Sequence, residues 1–398
     1  PTMMAGTVAA AQSQAVNTFN AQASQVANTN YSAGNVTVTI ATSGAVRTAT
    51  VTYAAASVNT FPNVLGMPTI PIGGTSQATA GLAPNINFYL LLDDSPSMAI
   101  PATSAGITQM NSLTSSTTEG SCAFACHESH PSTDNLGNPG GEDNYTLAKN
   151  NSITLRIDNL RTAAENLATT AKTTETGSTA SYQMAIYTFD VSLNTIAAMT
   201  SNLSTVESDA SNVSLLEVYD NNNLTSSTAN NDEDTNWDNA MTKINTAMPN
   251  PGSGTNTTGD TPQEVLFIVT DGVVDEGVSS TPAISTAYGS YTGSRQQSTV
   301  NPETSSGNMP DTNWCTTIKN RGIRIAVLYT EYLPLNTSGS GSNSWYTDYV
   351  APIQPNIGTQ LQNCASPGLY YEVTTDGDIS AALSDLFDLA VQSAYLSK

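Results

Sequence analysis

Positive charge is scarce in this chain of 398 residues. Lysine and arginine together number 11, whereas aspartate and glutamate number 33, which gives a formal net charge of −22. A surface this acidic repels phosphate backbones and anionic membrane surfaces, so nucleic acids are excluded as partners. Charged residues make up only 11% of the chain. A surface rich in Ser, Thr, Asn and Gly instead favours an exported protein, which faces the periplasm or the outside of the cell.

Long hydrophobic runs and catalytic motifs are also missing. No stretch of about 18 apolar residues, which a membrane-spanning helix requires, occurs in the sequence. The G-x-S-x-G elbow, the P-loop and the H-E-x-x-H helix are absent as well. The only two histidines, His127 and His130, share one loop and have no paired serine or cysteine nucleophile. The sequence therefore predicts a protein that is not an enzyme.

Cysteine is rare, but its number is even, which favours two disulfides in an exported chain. We favour Cys122–Cys126, which would close a tight loop, and Cys315–Cys364, which would join two crossover helices. The second pair carries a difficulty, because Cys315 begins its helix whereas Cys364 ends its own. The two could then lie at opposite ends of the sheet, too far apart for a disulfide. A bond from Cys122 or Cys126 to Cys315 is the alternative.

The first cysteine pair has two further interpretations. Cys122-x-x-x-Cys126-His127 is similar to the C-x-x-C-H signature of haem attachment, with one residue too many. His127 and His130 could also bind zinc together with the two thiolates. An oxidising compartment favours the disulfide over both.

Residues 83–398 alternate between apolar strands and amphipathic helices, which predicts an α/β fold with a doubly wound, mostly parallel, six-stranded sheet. Residues 1–82 predict a separate α+β domain, in which a helix at 8–27 precedes a hairpin and a third extended segment. Three long irregular segments, 99–150, 272–310 and 330–350, follow predicted strands of the larger domain. We expect all three to emerge at the carboxyl ends of the strands, where ligands bind in such sheets. The six predicted strands are 88–92, 182–189, 194–199, 265–269, 323–329 and 369–373.

Oxygen-bearing side chains cluster directly behind two of these strands. Asp93, Ser95 and Ser97 form a D-x-S-x-S motif after the first strand, and Asp271 follows the apolar run 265–270. Thr235 precedes a predicted helix between them. Carboxylates and hydroxyls are hard ligands that suit Mg²⁺ or Ca²⁺, with Mn²⁺ as a third candidate. The sequence therefore predicts a divalent-cation site at the carboxyl ends of the strands.

The order of these motifs resembles the von Willebrand factor A domain. In that family, a D-x-S-x-S loop, a threonine and a strand-T-D-G segment form a metal-ion-dependent adhesion site. The resemblance implies that Ser95, Ser97 and Thr235 contact the ion directly, and that Asp93 and Asp271 act partly through water. It also implies that an acidic group of a partner completes the coordination.

A wider resemblance covers nearly the whole chain. The segments 122–127, 259–265 and 314–319 are similar to TadG proteins of the bacterial tight-adherence (Tad) pilus system. This resemblance implies that the first 82 residues are a pilin-like stem and that a hydrophobic anchoring helix lies upstream of Pro1. It also implies a location in the envelope or on the pilus, among minor pilin-like subunits.

The leading hypothesis is a non-enzymatic adhesion or assembly protein that binds its partner through the metal. The partner would be another pilus or minor-pilin subunit, or a surface protein that offers an acidic group. One alternative is a structural filament subunit in which the metal only stabilises the fold. A second is a metal-dependent hydrolase that uses Asp93 and Asp271. Neutral hydroxyl ligands favour adhesion over the hydrolase, because they leave the ion able to attract a partner's carboxylate.

Overall fold

The structure is a computed structural model, and it describes the greater part of the chain. The described residues are 8–43, 46–59, 66–81, 83–116, 121–123, 142–176, 178–190, 192–216, 235–277, 284–286, 289–291, 295–299, 313–331, 350–374 and 376–394. No helix in these ranges is both long enough and apolar enough to cross a bilayer.

The described residues between 8 and 81 form a helix and an antiparallel sheet, which we call the N-terminal unit. The helix is α1 (Val8–Ala23), and the strands are β1 (Thr29–Asn30), β2 (Val36–Ser43), β3 (Val46–Val58) and β4 (Thr69–Gly81). Strand β3 is central, since it pairs with all three of the others. The predicted hairpin is confirmed by the β2–β3 register, in which Val36 faces Tyr53 and Ser43 faces Val46. The pilin-like character of this unit and a domain boundary after residue 82 stay predictions.

The second sheet has six strands and is mixed. Its strands are β5 (Ile86–Asp93), β6 (Tyr182–Phe189), β7 (Leu193–Thr200), β8 (Gln263–Thr270), β13 (Arg324–Thr330) and β14 (Tyr370–Val373). They lie in the order β14-β13-β8-β5-β6-β7. Only β7, at one edge, runs antiparallel to its neighbour. Strands β5 and β8 are buried at every position, which is why their sequences are almost continuously apolar.

Two hydrophobic cores lie on opposite faces of this sheet. Alternate residues of β5 point into different cores, with Phe88 and Leu90 on one side and Tyr89 and Leu91 on the other. The first core is closed mainly by α4 (Arg156–Thr176), α5 (Leu203–Ala210) and α9 (Ile379–Ala394). The second is closed by α6 (Trp237–Ala247), α7 (Trp314–Asn320) and α8 (Gln354–Cys364).

Two of the segments expected to be irregular contain regular structure, so that part of the prediction is wrong. Segment 99–150 includes α2 (Ser104–Leu113) and α3 (Asn144–Asn150). In segment 272–310, β9 (Val273–Gly277) pairs antiparallel with β12 (Arg295–Thr299). Two short strands between them also pair, β10 (Ile284–Thr286) with β11 (Gly289–Tyr291). Most of segment 330–350 lies outside the described residues.

One buried carboxyl at the start of β8 makes stability depend on pH. Glu264 is 1% exposed, and Nδ2 of Asn87 donates a hydrogen bond of 3.0 Å to its Oε1. Burial raises the pKa of Glu264 from 4.5 to about 7. Between these two pH values the folded protein holds a proton on Glu264 that the unfolded chain has already released. The contribution of this group to stability is therefore lost as pH rises from about 4.5 to about 7.

Glu264→Gln should remove this loss. We expect the variant to gain on the order of 2 kcal/mol of unfolding free energy over the wild type between pH 4 and pH 8. Urea denaturation of both proteins at several pH values measures the difference. A difference that does not change with pH would contradict this account of Glu264.

Candidate metal centre

The parallel pairing of β5 and β8 brings two of the predicted ligands together. Leu92 of β5 faces Val269 of β8 in the register, so Asp93 and Asp271 leave the sheet side by side. The hydroxyl of Thr270 donates a hydrogen bond of 2.6 Å to Oδ2 of Asp93, across the two strand ends. Both aspartates are fully buried.

The two serines of the D-x-S-x-S motif join the same cluster. Oγ of Ser95 donates to Oδ1 of Asp93 at 2.6 Å, and the backbone N–H of Ser95 donates to the same oxygen at 3.1 Å. The hydroxyls of Ser95 and Ser97 lie 3.0 Å apart. A short 3₁₀ helix, Pro96–Ala99, begins directly after Ser95. The structure thus gathers Asp93, Ser95 and Ser97 into one hydrogen-bonded group.

The loop of Asp271 is held by a tight backbone turn. The backbone N–H of Val273 donates to Oδ1 of Asp271 at 3.1 Å, and that of Gly272 donates to the hydroxyl of Thr270 at 2.9 Å. Gly272 has φ +77°, and a Cβ there would lie 2.4 Å from Cγ2 of Ile357. Glycine is therefore required at this position, both by the backbone conformation and by the close approach of α8.

The two buried aspartates repel each other electrostatically. Burial, followed by the charge of Asp271, raises the pKa of Asp93 to about 7, against the opposing effect of hydrogen bonds from Ser95 and Thr270. Two adjacent buried carboxylates with neutral hydroxyls around them form a donor set that a divalent cation fits, because the ion would neutralise their charge.

Thr235 lies on the neighbouring loop, beside the end of β6. It is 3% exposed, and the residue that follows it, Asn236, donates its backbone N–H to the carbonyl of Asp190 at 2.8 Å. The side chain of Asn236 caps α6 by accepting from the N–H of Asn239 at 2.9 Å. The hydroxyl of Thr235 takes no part in the hydrogen bonds that join Asp93, Ser95 and Ser97, so its role as a ligand stays a prediction.

Sequence reasoning missed a second acidic pair beside the first. Asp94 donates its backbone N–H to the carbonyl of Phe189 at 3.2 Å, which places it near Asp190 at the end of β6. Burial and the charge of Asp190 raise the pKa of Asp94 well above its usual range. The only sequence signal is the position of each residue directly behind an apolar strand.

The described residues contain no group of three or more His, Cys, Asp or Glu side chains that could hold a metal. A site with two carboxylates and three hydroxyls would not form such a group. His127, His130 and Cys126 lie outside the described ranges, so the zinc and haem interpretations of that loop gain no support.

The disulfide between Cys315 and Cys364 is confirmed, with the two Cα atoms 5.0 Å apart. The expected separation of the two residues is wrong, and so is the alternative bond to Cys315. Helix α7 has only seven residues, which span about 10 Å, so its first turn still lies close to the end of α8. Cys122 is also disulfide-bonded; its favoured partner, Cys126, lies outside the described residues, so that pairing stays a prediction.

Comparison with known proteins finds only remote resemblance to solved structures. No family model matches the chain, and no curated protein does. Solved structures that resemble it include the vWF domain of the type V pili tip protein Mfa5 from Porphyromonas gingivalis, at 10% identity and a TM-score of 0.40. That match covers 79% of this chain and 97% of the other.

Two further structures resemble the chain to a similar degree. The PilB minor pilin from Streptococcus sanguinis has 11% identity and a TM-score of 0.37, with 92% of this chain and 80% of the other covered. The conserved hypothetical protein BatB from Bacteroides thetaiotaomicron has 10% identity and a TM-score of 0.36, with 77% and 100% covered. Identities and TM-scores this low assign neither a family nor a function.

Proposed function

We propose that this protein is a non-enzymatic adhesion or assembly module, similar to TadG proteins, that binds its partner through a divalent cation. The observation that carries the proposal is the hydrogen-bonded cluster of Asp93, Ser95 and Ser97 beside the buried carboxylate of Asp271. All four lie at the ends of two adjacent parallel strands, where ligands bind in α/β sheets.

The five predicted ligands would have two roles, since two are carboxylates and three are hydroxyls. Asp93 and Asp271 would supply the negative charge that holds the ion, and Ser95, Ser97 and Thr235 would supply neutral oxygens. When bound, Mg²⁺, Ca²⁺ or Mn²⁺ supplies an electrophilic centre that can accept an acidic group from another protein. The two carboxylates would balance the charge of the ion, and both are buried at the strand ends.

The hydroxyls already lie close to the carboxylate before any ion binds. Ser95 is hydrogen-bonded to Asp93 and to Ser97, so the motif would need little rearrangement to present its oxygens. A preorganised site loses less conformational entropy on binding. This supports a site built to hold an ion reversibly, with the partner as the last ligand.

The acidity of the chain fits the same role. An overall charge of −22 would repel a partner that carries an acidic group, unless a cation lies between the two surfaces. Binding should therefore depend on the metal at two levels, since the ion provides a ligand position and also reduces local repulsion. The proposed partners are other pilus or minor-pilin subunits, or an acidic surface protein, in the cell envelope or outside the cell.

A metal-dependent pulldown tests the proposed function. The immobilised protein should retain one or a few proteins from the native envelope in the presence of Mg²⁺ or Ca²⁺, and release them when EDTA is added. Retention that persists in EDTA would show that the strand-end site does not mediate binding. Hydrolysis of phosphoesters or glycans on addition of Mn²⁺ would favour the hydrolase instead.

A further inference from the structure

The N-terminal unit has almost no charge. Arg47 is the only charged residue before Asp93, so the rest of the chain contains 33 acidic and 10 basic residues. Arg47 itself is buried, with 8% exposure. The described surface of this unit therefore exposes no charged side chain, whereas residues 93–398 have a net charge of −23, the difference between these two counts.

The exposed apolar side chains are concentrated in the same unit. Eight large hydrophobic residues are exposed in the described part of the chain, and six of them lie between residues 8 and 81. The most exposed are Val26 at 57% and Met67 at 55%, and Ile70 and Ile72 on β4 are 44% and 40% exposed. Single exposed hydrophobics are common, but a concentration of this kind indicates an interaction surface.

An apolar groove of about 320 Å³ runs beside α1. Phe19 packs on Tyr31 and Tyr53, with ring centroids 5.9 and 5.4 Å apart, so the helix covers one part of the sheet face. Val26, three residues beyond the end of α1, and Ile72 of β4 also line the groove. The helix thus leaves the β4 side of the face without a covering layer among the described residues.

Strand β4 also has an open edge. Its 13 residues pair with β3 along their whole length, and no other described strand pairs with β4. Edge strands are usually protected by lysine or other charges, by proline or by a short length. On β4 only Pro71 protects the edge, and it lies near the start of the strand. Residues 72–81 are therefore able to pair with another strand.

We infer that the N-terminal unit is a surface for self-association, on which two copies of this chain pair through the β4 edge and the adjacent apolar groove. A second copy is the occupant that fits, because it brings an equally uncharged surface to the contact. Antiparallel pairing of β4 with its symmetry mate would extend the sheet across a two-fold axis. Ile72 would then lie beside the apolar groove at the contact.

Charge also determines how this association should respond to salt. Residues 93–398 of one copy repel those of the other, because both are strongly acidic, and salt screens that repulsion. The proposed contact itself would contain no ion pair. Association should therefore tighten as salt rises, which is the reverse of a charge-driven interface. The inference does not depend on the metal site.

Sedimentation equilibrium in EDTA tests the proposal, because EDTA prevents bridging of acidic surfaces by divalent ions. The full chain should form dimers whose dissociation constant falls several-fold between about 0.05 and about 0.5 M NaCl. Ile72→Lys should weaken the dimer about tenfold or more, since it brings two like charges together at the contact. Val26→Lys, on the helix side and away from the strand ladder, should weaken it too.

Leu389→Lys is the matched control, because Leu389 is 42% exposed on α9, outside the N-terminal unit. It should dimerise as the wild type does. Circular dichroism of all variants should be unchanged. A chain that stays monomeric at every salt concentration would overturn the proposal. Dimers that tolerate both Ile72→Lys and Val26→Lys, or that Leu389→Lys weakens equally, would do the same.

Discussion

Asp93→Ala should abolish divalent-cation binding while the protein stays folded. Asp93 is the last residue of β5, and its side chain belongs to neither hydrophobic core. Its removal takes away one of two charged ligands and the acceptor that orients Ser95 and Thr270. Calorimetric titration with Mg²⁺ and with Ca²⁺ should show an affinity at least about a hundredfold weaker than that of the wild type.

Thermal unfolding provides a second measure of the same change. A cation that binds only the folded state raises the melting temperature of the wild type, and this rise should vanish in Asp93→Ala. Without metal the variant should lose little stability, because relief from repulsion by Asp271 offsets the two hydroxyls left without their acceptor. Asp388→Ala, which removes an exposed carboxylate on α9, is the control and should bind metal as the wild type does.

Unchanged affinity in Asp93→Ala would contradict the assignment of the strand-end site. The acidic pair Asp94 and Asp190 would then be the next set of residues to examine. Their carboxylates are also buried beside each other, so Asp190→Ala would distinguish the two sites. Loss of affinity in Asp190→Ala alone would place the ion at the ends of β5 and β6.

The central strands of the six-stranded sheet could be predicted because burial on both faces gives them a simple, almost continuously apolar sequence. Strands β5 and β8 are covered on both faces, so nearly every residue is apolar and each strand stands out as a continuous run. The positions of Asp93 and Asp271 follow from the same pattern, since parallel strands place their carboxyl ends at one edge. The antiparallel edge strand β7 was also predictable, because it follows β6 after a short connection.

The insertions were harder to interpret. Strand β9 pairs with β12, whose residues lie 18 or more positions further along the chain, so no tight-turn signal links the two. Helix α3 has only seven residues, too few for a clear helical period. The pairing of Cys315 with Cys364 was uncertain for another reason, because the sequence does not show how the start of one helix lies relative to the end of the other.

The contact between Asp94 and Asp190 could not be predicted from the sequence. Asp94 stands inside the D-x-S-x-S motif, where the pattern assigns no role to the second position. Its contact with Asp190 depends on the pairing of β5 with β6, in which Asp93 faces Phe189. A sequence shows that both residues follow strands, but it does not show which strands are neighbours.

The N-terminal unit and the six-stranded sheet have separate hydrophobic interiors. Both hydrophobic cores of the six-stranded sheet are built from residue 83 onward. Val38 and Ala49, the buried hydrophobics among the described residues of the N-terminal unit, belong to neither core. Removing residues 1–82 should therefore leave the larger sheet with its packing intact.

Deletion of residues 1–82 should release a folded, metal-binding protein from the cell surface into the medium. The deletion removes the N-terminal unit, which we predict to be the main point of attachment. What remains is strongly acidic and soluble by charge repulsion. Fractionation of cells that express each form, followed by Mg²⁺ titration of the released protein, measures both parts of the prediction. If the shortened protein stays on the cell or the pilus, attachment runs through the metal-bearing sheet, and the N-terminal unit has another role.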